Sequence, residues 1–123
     1  MNRLMIVDDA LIMRMRIREV ATLAGWTVVA EAANGNEAVR LFNELQPDLV
    51  TLDMVMPEMD GLQALRAIRA AKPDASVVMV SAVNQKEKLR ECIVEGALDF
   101  IVKPFDPEQL RAFFEHARRD GRE

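Results

Sequence analysis

The chain has 123 residues, half of them hydrophobic and 29% charged, with a formal net charge of −4 at pH 7. That length suits one domain with a real core, so a single domain over residues 1–123 is the expected organisation. The charge gives no support for nucleic-acid or membrane binding, the one cysteine (Cys92) excludes an internal disulfide, and no apolar run is long enough to span a bilayer.

The N-terminal MNRLMIVDD lacks the layout of a signal peptide, so a cytoplasmic location is expected. Within it, Leu4 to Val7 reads as a first strand that ends at Asp8-Asp9. From Ala10 to Ala24 the pattern turns helical, with Met13, Ile17, Val20 and Ala24 on one stripe, and Gly25 suits the helix end. Trp26 reads as a packing residue. Thr27 to Ala30 is the second strand, Asn34-Gly35 a turn, and Glu37 to Leu45 a helix with Ala38, Leu41, Phe42 and Leu45 inward.

Pro47 ends that helix and leads to Leu49–Leu52, an apolar, β-rich run of the kind buried on both faces, with Asp53 at its end. Asp60 fits the N-cap of a third helix, whose Leu62, Leu65 and Ile68 face inward. Val77 to Val80 is the fourth strand, followed by Ser81-Ala82. A fourth helix over Gln85 to Glu95 is expected to bury Leu89, Cys92 and Ile93, with Lys86, Lys88 and Arg90 as its solvated start and Gly96 at its cap. Asp99 to Val102 is the fifth strand and ends at Lys103-Pro104-Phe105. Pro107 opens a last helix with Leu110, Phe113, Phe114 and Ala117 inward, His116 at the surface, and a tail, RRDGRE, expected to fray. Five alternations of strand and helix predict an α/β fold, a parallel sheet with helices on both faces.

In a parallel sheet every strand C-terminus lies along one edge, where open α/β sheets place their ligand sites. That edge collects Asp8, Asp9, Asp53, Ser81 and Lys103. Three crowded carboxylates need a cation or a raised pKa, and an all-oxygen cluster suits Mg²⁺. A lysine is a point charge suited to a phosphoryl oxygen, and a carboxylate can accept a phosphoryl group. Taken singly, Asp8 reads equally well as a helix cap, Ser81 as a turn hydroxyl and Lys103 as a surface lysine.

The segments IVDDA, TLDMVMPEMDG, VSA and DFIVKPF resemble the response-regulator receiver domain over nearly the whole chain, with the strongest likeness to single-domain, CheY-like chemotaxis regulators. The resemblance implies a five-stranded flavodoxin-like sheet of order 2-1-3-4-5 and phosphorylation of Asp53 by a sensor histidine kinase or a phosphotransfer domain. It implies Mg²⁺ held by Asp9, Asp53 and the backbone carbonyl of Val55, with Asp8 acting through water. It also implies that Ser81 and Lys103 contact the phosphoryl group, and that the peptide bond before Pro104 is cis.

In the family a hydroxyl at the Ser81 position works with a ring at the Phe100 position: phosphorylation draws the hydroxyl away and the ring turns into the space. That would reshape the surface of helix four, strand five and helix five for an effector, with the flagellar switch as one candidate. Phe100 also reads as plain core. Val55 and Val83 flank the path of the attacking water in the family, and apolar residues there predict slow loss of the phosphoryl group. Leu11 and Met15 read as a docking patch for a kinase phosphotransfer helix, or as packing against their neighbours.

Within this class, control of motility competes with a phosphorelay intermediate or phosphate sink, and a monomer or a weak phosphorylation-dependent dimer is expected. An aspartyl-phosphate phosphatase is the reading from another class. It requires an acid two residues after the nucleophile, and Val55 stands there. The domain is therefore expected to be no enzyme beyond its own phosphorylation and dephosphorylation.

Overall fold

The computed structural model of the protein describes residues 2–118, with the backbone alone for Val83. In chain order it runs β1 (Arg3–Val7), α1 (Leu11–Leu23), β2 (Thr27–Ala32), α2 (Gly35–Leu45), β3 (Leu49–Asp53) and α3 (Gly61–Ala71). Then follow β4 (Val77–Ala82), a 3-10 turn (Val83–Gln85), α4 (Lys86–Val94), β5 (Asp99–Lys103) and α5 (Pro107–Ala117). All pairings among these strands are parallel and their order is β2-β1-β3-β4-β5, the doubly wound α/β arrangement expected. The fraying expected of RRDGRE concerns residues that, apart from Arg118, lie outside those described.

Alternation along the strands divides the core in two. Leu4, Ile6, Leu49 and Val78 point to one face, where Ile17 and Ala21 of α1 and Leu110 and Phe114 of α5 cover them. Met5, Val7, Val50, Leu52, Val77 and Met79 point to the other, beneath Phe42 of α2, Leu65 and Ile68 of α3 and Leu89 and Cys92 of α4. Both faces of β3 are therefore dry, and its whole length is buried. Trp26 packs as expected: its indole N–H donates to the Phe114 carbonyl at 2.8 Å and ties the end of α1 to α5.

The helix ends follow local chemistry. Asp60 caps α3 in a reciprocal box with Gln63, each side chain bonding the other's backbone N–H. Pro107 occupies the first turn of α5 behind Asp106, and Gly25 and Gly96 adopt the left-handed φ their cap positions call for.

Four expectations are corrected. Asn34-Gly35 is no free turn: Asn34 is the N-cap of α2, its side chain accepting from Glu37 N–H at 2.8 Å, so the helix begins at Gly35. β2 runs on to Ala32 because Glu31 and Ala32 pair with Ile6 and Val7. Ser81 and Lys103 lie within β4 and β5 rather than beyond them. Ile93 is 43% exposed, because the buried face of α4 is set by Leu89 and Cys92.

One close approach fixes the loop after Asp53. Gly61 N–H donates to the Met54 carbonyl at 2.7 Å. A Cβ on Gly61 would run into the Asp53 carbonyl oxygen and lie 2.7 Å from Met54 Cα, and backbone cannot swing aside as a side chain can. Gly61→Ala is therefore expected to destabilise the protein by about 2 kcal/mol, despite alanine's advantage of about 1 kcal/mol within a helix. The midpoint of urea unfolding measures this, and an unchanged or higher midpoint contradicts it.

Candidate functional site

β3 delivers Asp53 to the carboxyl edge between two neighbours. Leu52 pairs with Val7, so the chain leaving β1 puts Asp8 beside Asp53, while Asp53 itself pairs with Val80 and leaves Ser81 one residue further along β4. Lys103 closes β5, paired with Ala82, and reaches back across β4. Its ammonium lies 2.9 Å from Asp8 Oδ2 and 3.2 Å from Asp53 Oδ1. Asp8, Asp53 and Ser81 are buried, whereas Asp9 is exposed at the rim. The peptide bond between Lys103 and Pro104 is cis.

Asp8, Asp9 and Asp53 each offer a carboxylate oxygen within 4.8 Å of the others. With one lysine among them, two formal negative charges remain uncompensated. Burial and the neighbouring Asp8 charge push the Asp53 carboxyl up to about 6, against which Lys103 pulls down. Burial alone would lower Lys103, but its bond to Asp8 and the charges of Asp53 and Asp8 outweigh it and raise the ammonium above its ordinary value. The lysine thus stays charged.

The donor set fits Mg²⁺ and a phosphoryl group. All the charged donors are oxygens, as a hard cation requires. Asp8 has both oxygens committed, Oδ2 to Lys103 and Oδ1 to Ala10 N–H at 2.9 Å, which suits contact through water. Asp9 has no side-chain hydrogen bond among the described residues. The buried Ser81 hydroxyl has no hydrogen-bond partner either, an expensive omission unless it faces a group that arrives later. Asp8 does not cap α1; Ala10 holds that position without a side-chain acceptor.

The remaining sequence candidates are placed as follows. Phe100 is 44% exposed and is therefore not core. With Lys86, Leu89, Arg90, Ile93 and Val102 it lines a cleft of about 370 Å³ between α4 and β5. Leu11 and Met15 are 59% and 54% exposed, so the larger part of each stands open to solvent. Val55 is exposed in the loop after β3, while the Val83 side chain lies outside the described residues. Cys92 is buried, and burial pushes its thiol up to about 11, as a packing residue should behave. His116, Lys86, Lys88 and Arg90 are at the surface.

Three residues went unremarked in the sequence, Arg14, Arg18 and Glu31. Arg14 donates to the Asp8 carbonyl at 2.7 Å and to Glu31 at 2.9 Å, and Arg18 takes the other Glu31 oxygen at 2.8 Å. Their only signal was opposite charge on adjacent elements.

Comparison with known proteins follows the same line. A family model of the response regulator receiver domain matches residues 4–115. The chemotaxis protein CheY of Listeria monocytogenes is 48% identical over 119 residues, covering 97% of this chain and all of that one. CheY of Thermotoga maritima is 47% identical over 109 residues, covering 89% and 91%. Among solved structures, the CheX–CheY–BeF₃–Mg²⁺ complex of Borrelia burgdorferi matches with a TM-score of 0.86 at 32% identity, covering 94% of this chain and 90% of that one.

A pH dependence follows for the metal-free protein. Asp53 titrates near 6 when folded and near the ordinary 3.8 when unfolded, so its protonated form favours the fold. That contribution is complete below about pH 3.8 and is lost as the pH rises through about 6, above which the ionised carboxylate weighs against the fold. Asp53→Asn should raise stability at pH 8 in EDTA by about 1 kcal/mol, or roughly 3–5 °C in Tm, after allowance for screening by water at the rim. The gain should shrink toward pH 5 and on adding Mg²⁺. Calorimetry at the two pH values checks it, and equal midpoints at pH 8 contradict it.

Proposed function

The chain belongs to the response regulator receiver domain family, and from that premise we propose that Asp53 is its phosphoacceptor, with Ser81 and Lys103 as the residues that receive the phosphoryl group. As a receiver it is a phosphorylation-driven switch of two-component signalling that modifies itself rather than turning over a separate substrate, with Mg²⁺ as its cofactor. Receivers work between a histidine kinase and an effector. The observation that carries the residue assignment is the Lys103 bridge between Asp8 and Asp53, beside a buried hydroxyl that lacks a partner.

In the step, an Asp53 carboxylate oxygen forms a bond to phosphorus while the phosphorus–nitrogen bond of a phosphohistidine breaks, its electron pair remaining on the imidazole. Lys103 binds Oδ1, which leaves Oδ2 without a hydrogen bond among the described residues and free to attack. Burial raises the Asp53 pKa, which makes the carboxylate a stronger base than an exposed one and so a better nucleophile. Asp9, Asp53 and the Val55 carbonyl would hold Mg²⁺, with Asp8 touching it through water. Bound there, the ion neutralises charge developing on the phosphoryl oxygens. Lys103 supplies the second positive charge, and the Ser81 hydroxyl donates to a phosphoryl oxygen.

The signal leaves through a packing change. Once the Ser81 hydroxyl turns toward the phosphoryl group, the Phe100 ring moves from its exposed position into the space released and alters the cleft between α4 and β5. Phenylalanine supplies bulk there without a phenolic hydroxyl, so recognition by an effector rests on shape and apolar contact. The chemotaxis relatives favour an effector in the control of motility, with the flagellar switch as the specific candidate. The donor is a sensor histidine kinase or its phosphotransfer domain, which would dock where Leu11 and Met15 are exposed beside the site. A single domain over residues 1–123 suffices for this role.

Incubation with acetyl phosphate and Mg²⁺, read by intact mass, should give one phosphoryl adduct that is lost in Asp53→Asn. An adduct that survives in Asp53→Asn contradicts the assignment. In the same assay, decay after removal of the donor should be several-fold faster in Val55→Asn, because an amide beside the acyl phosphate can orient water where an exposed valine cannot. Equal decay would remove Val55 from the account.

A further inference from the structure

Asp9 is the ligand least secured by its own side chain. It is exposed at the rim of the site and has no side-chain hydrogen bond among the described residues, so its direction depends on the backbone that carries it. On its C-terminal side, Ala10 caps α1 without a side-chain acceptor, and its N–H is turned back to Asp8 Oδ1. On its N-terminal side, Asp9 shares a peptide plane with the Asp8 carbonyl. Arg14 Nη1 grips that carbonyl at 2.7 Å.

The grip has a fixed direction. A guanidinium is a flat, rigid fork, so holding one nitrogen aims the others. Arg14 Nε is held 2.9 Å from Glu31 Oε1, and Glu31 stands in β2 paired with Ile6 of β1, two residues before Asp8. Its second oxygen is taken by Arg18. Burial would raise the Glu31 carboxyl, but hydrogen bonds from Arg18 and Arg14 hold it below its ordinary value, so it remains an anion for both arginines.

We infer that Arg14, aimed by Glu31, is a positioning residue of the metal site: it sets the Asp8–Asp9 peptide plane and thereby the direction of the Asp9 carboxylate toward Mg²⁺. This rests on the functional reading above. It also runs against simple electrostatics, since a cation near a cation site should weaken binding and its removal should strengthen it. Positioning and charge therefore predict opposite signs.

The experiment is calorimetric titration of MgCl₂ into the full chain at neutral pH, below the unfolding midpoint of each variant as read by circular dichroism. Removing a group that orients a metal ligand typically costs ten- to a hundredfold in affinity, so Arg14→Gln should bind Mg²⁺ about tenfold more weakly. Arg14→Lys keeps the charge but cannot bond Glu31 and the Asp8 carbonyl as a fork, and should bind roughly threefold more weakly. Arg18→Gln shares Glu31 but does not touch Asp8, and should bind as the parent does.

Tighter binding in Arg14→Gln overturns the inference in favour of a charge effect. Unchanged affinity with a lower unfolding midpoint overturns it in favour of a structural tie between α1 and β2. Equal weakening in Arg14→Gln and Arg18→Gln also overturns it. If Arg14→Gln does not fold, Arg14→Lys decides alone, since affinity equal to the parent's refutes positioning. Failure of the parent protein itself to bind Mg²⁺ would instead remove the metal site, and the inference with it.

Discussion

Three carboxylates and one lysine at a buried strand edge form the constraint on which the rest of the structure depends. Asp8, Asp9 and Asp53 lie close enough to repel, and burial denies two of them the water that would screen the repulsion. Lys103 relieves part of this by bridging Asp8 and Asp53, and burial first, with the remaining repulsion from Asp8, keeps the pKa of Asp53 raised. A site in that state favours anything that adds positive charge. On the proposed assignment the receiver would use that imbalance: a divalent cation would complete the charge, and the phosphoryl group would arrive where the cation, Lys103 and the unpartnered Ser81 hydroxyl could share its oxygens.

Holding such a cluster together requires stiff surroundings. β3 is dry on both sides, with Val50 and Leu52 facing one half of the core and Leu49 the other, so Asp53 cannot back away from its neighbours. Gly61 lets α3 start hard against the Asp53 carbonyl, and the Asp60–Gln63 box fixes that start. Trp26 and Phe114 join α1 to α5 behind the sheet. By contrast, Phe100 is exposed on β5, an edge strand, at the cleft between α4 and β5. The rigid part lies where charge must be placed, and the exposed ring lies where, on the proposed switch, a change of packing would be read.

The fold was legible because its evidence is redundant. Each strand is a short apolar run, each helix has an apolar stripe, and Asp60, Gly96 and Pro107 punctuate them, so no single misreading could change the class. The edge residues Asp8, Asp53, Ser81 and Lys103 were legible for a related reason, since a parallel sheet brings all strand ends together. What failed was local. Asn34-Gly35 carries the signal of a turn and of a helix cap, and the local sign that decides for the cap is Glu37 three residues on, whose N–H bonds the Asn34 side chain and whose carboxylate accepts from Ala33 N–H. Ile93 sits at the margin of an apolar stripe, where the burial of α4 is decided by how far it leans on β4 and β5. The Arg14–Glu31 link was invisible because it joins residues whose proximity depends on the pairing of β1 and β2.

The most direct test of the charge imbalance is a ¹³C NMR titration of the Asp53 carboxyl in the metal-free protein and in saturating Mg²⁺. Asp53 should titrate near 6 without metal, because burial and Asp8 together outweigh Lys103. With Mg²⁺ the midpoint should fall by more than about one unit, since the bound cation favours the carboxylate. A midpoint near the ordinary carboxylate value in both conditions would mean that the cluster carries no uncompensated charge, and would contradict the account at its root.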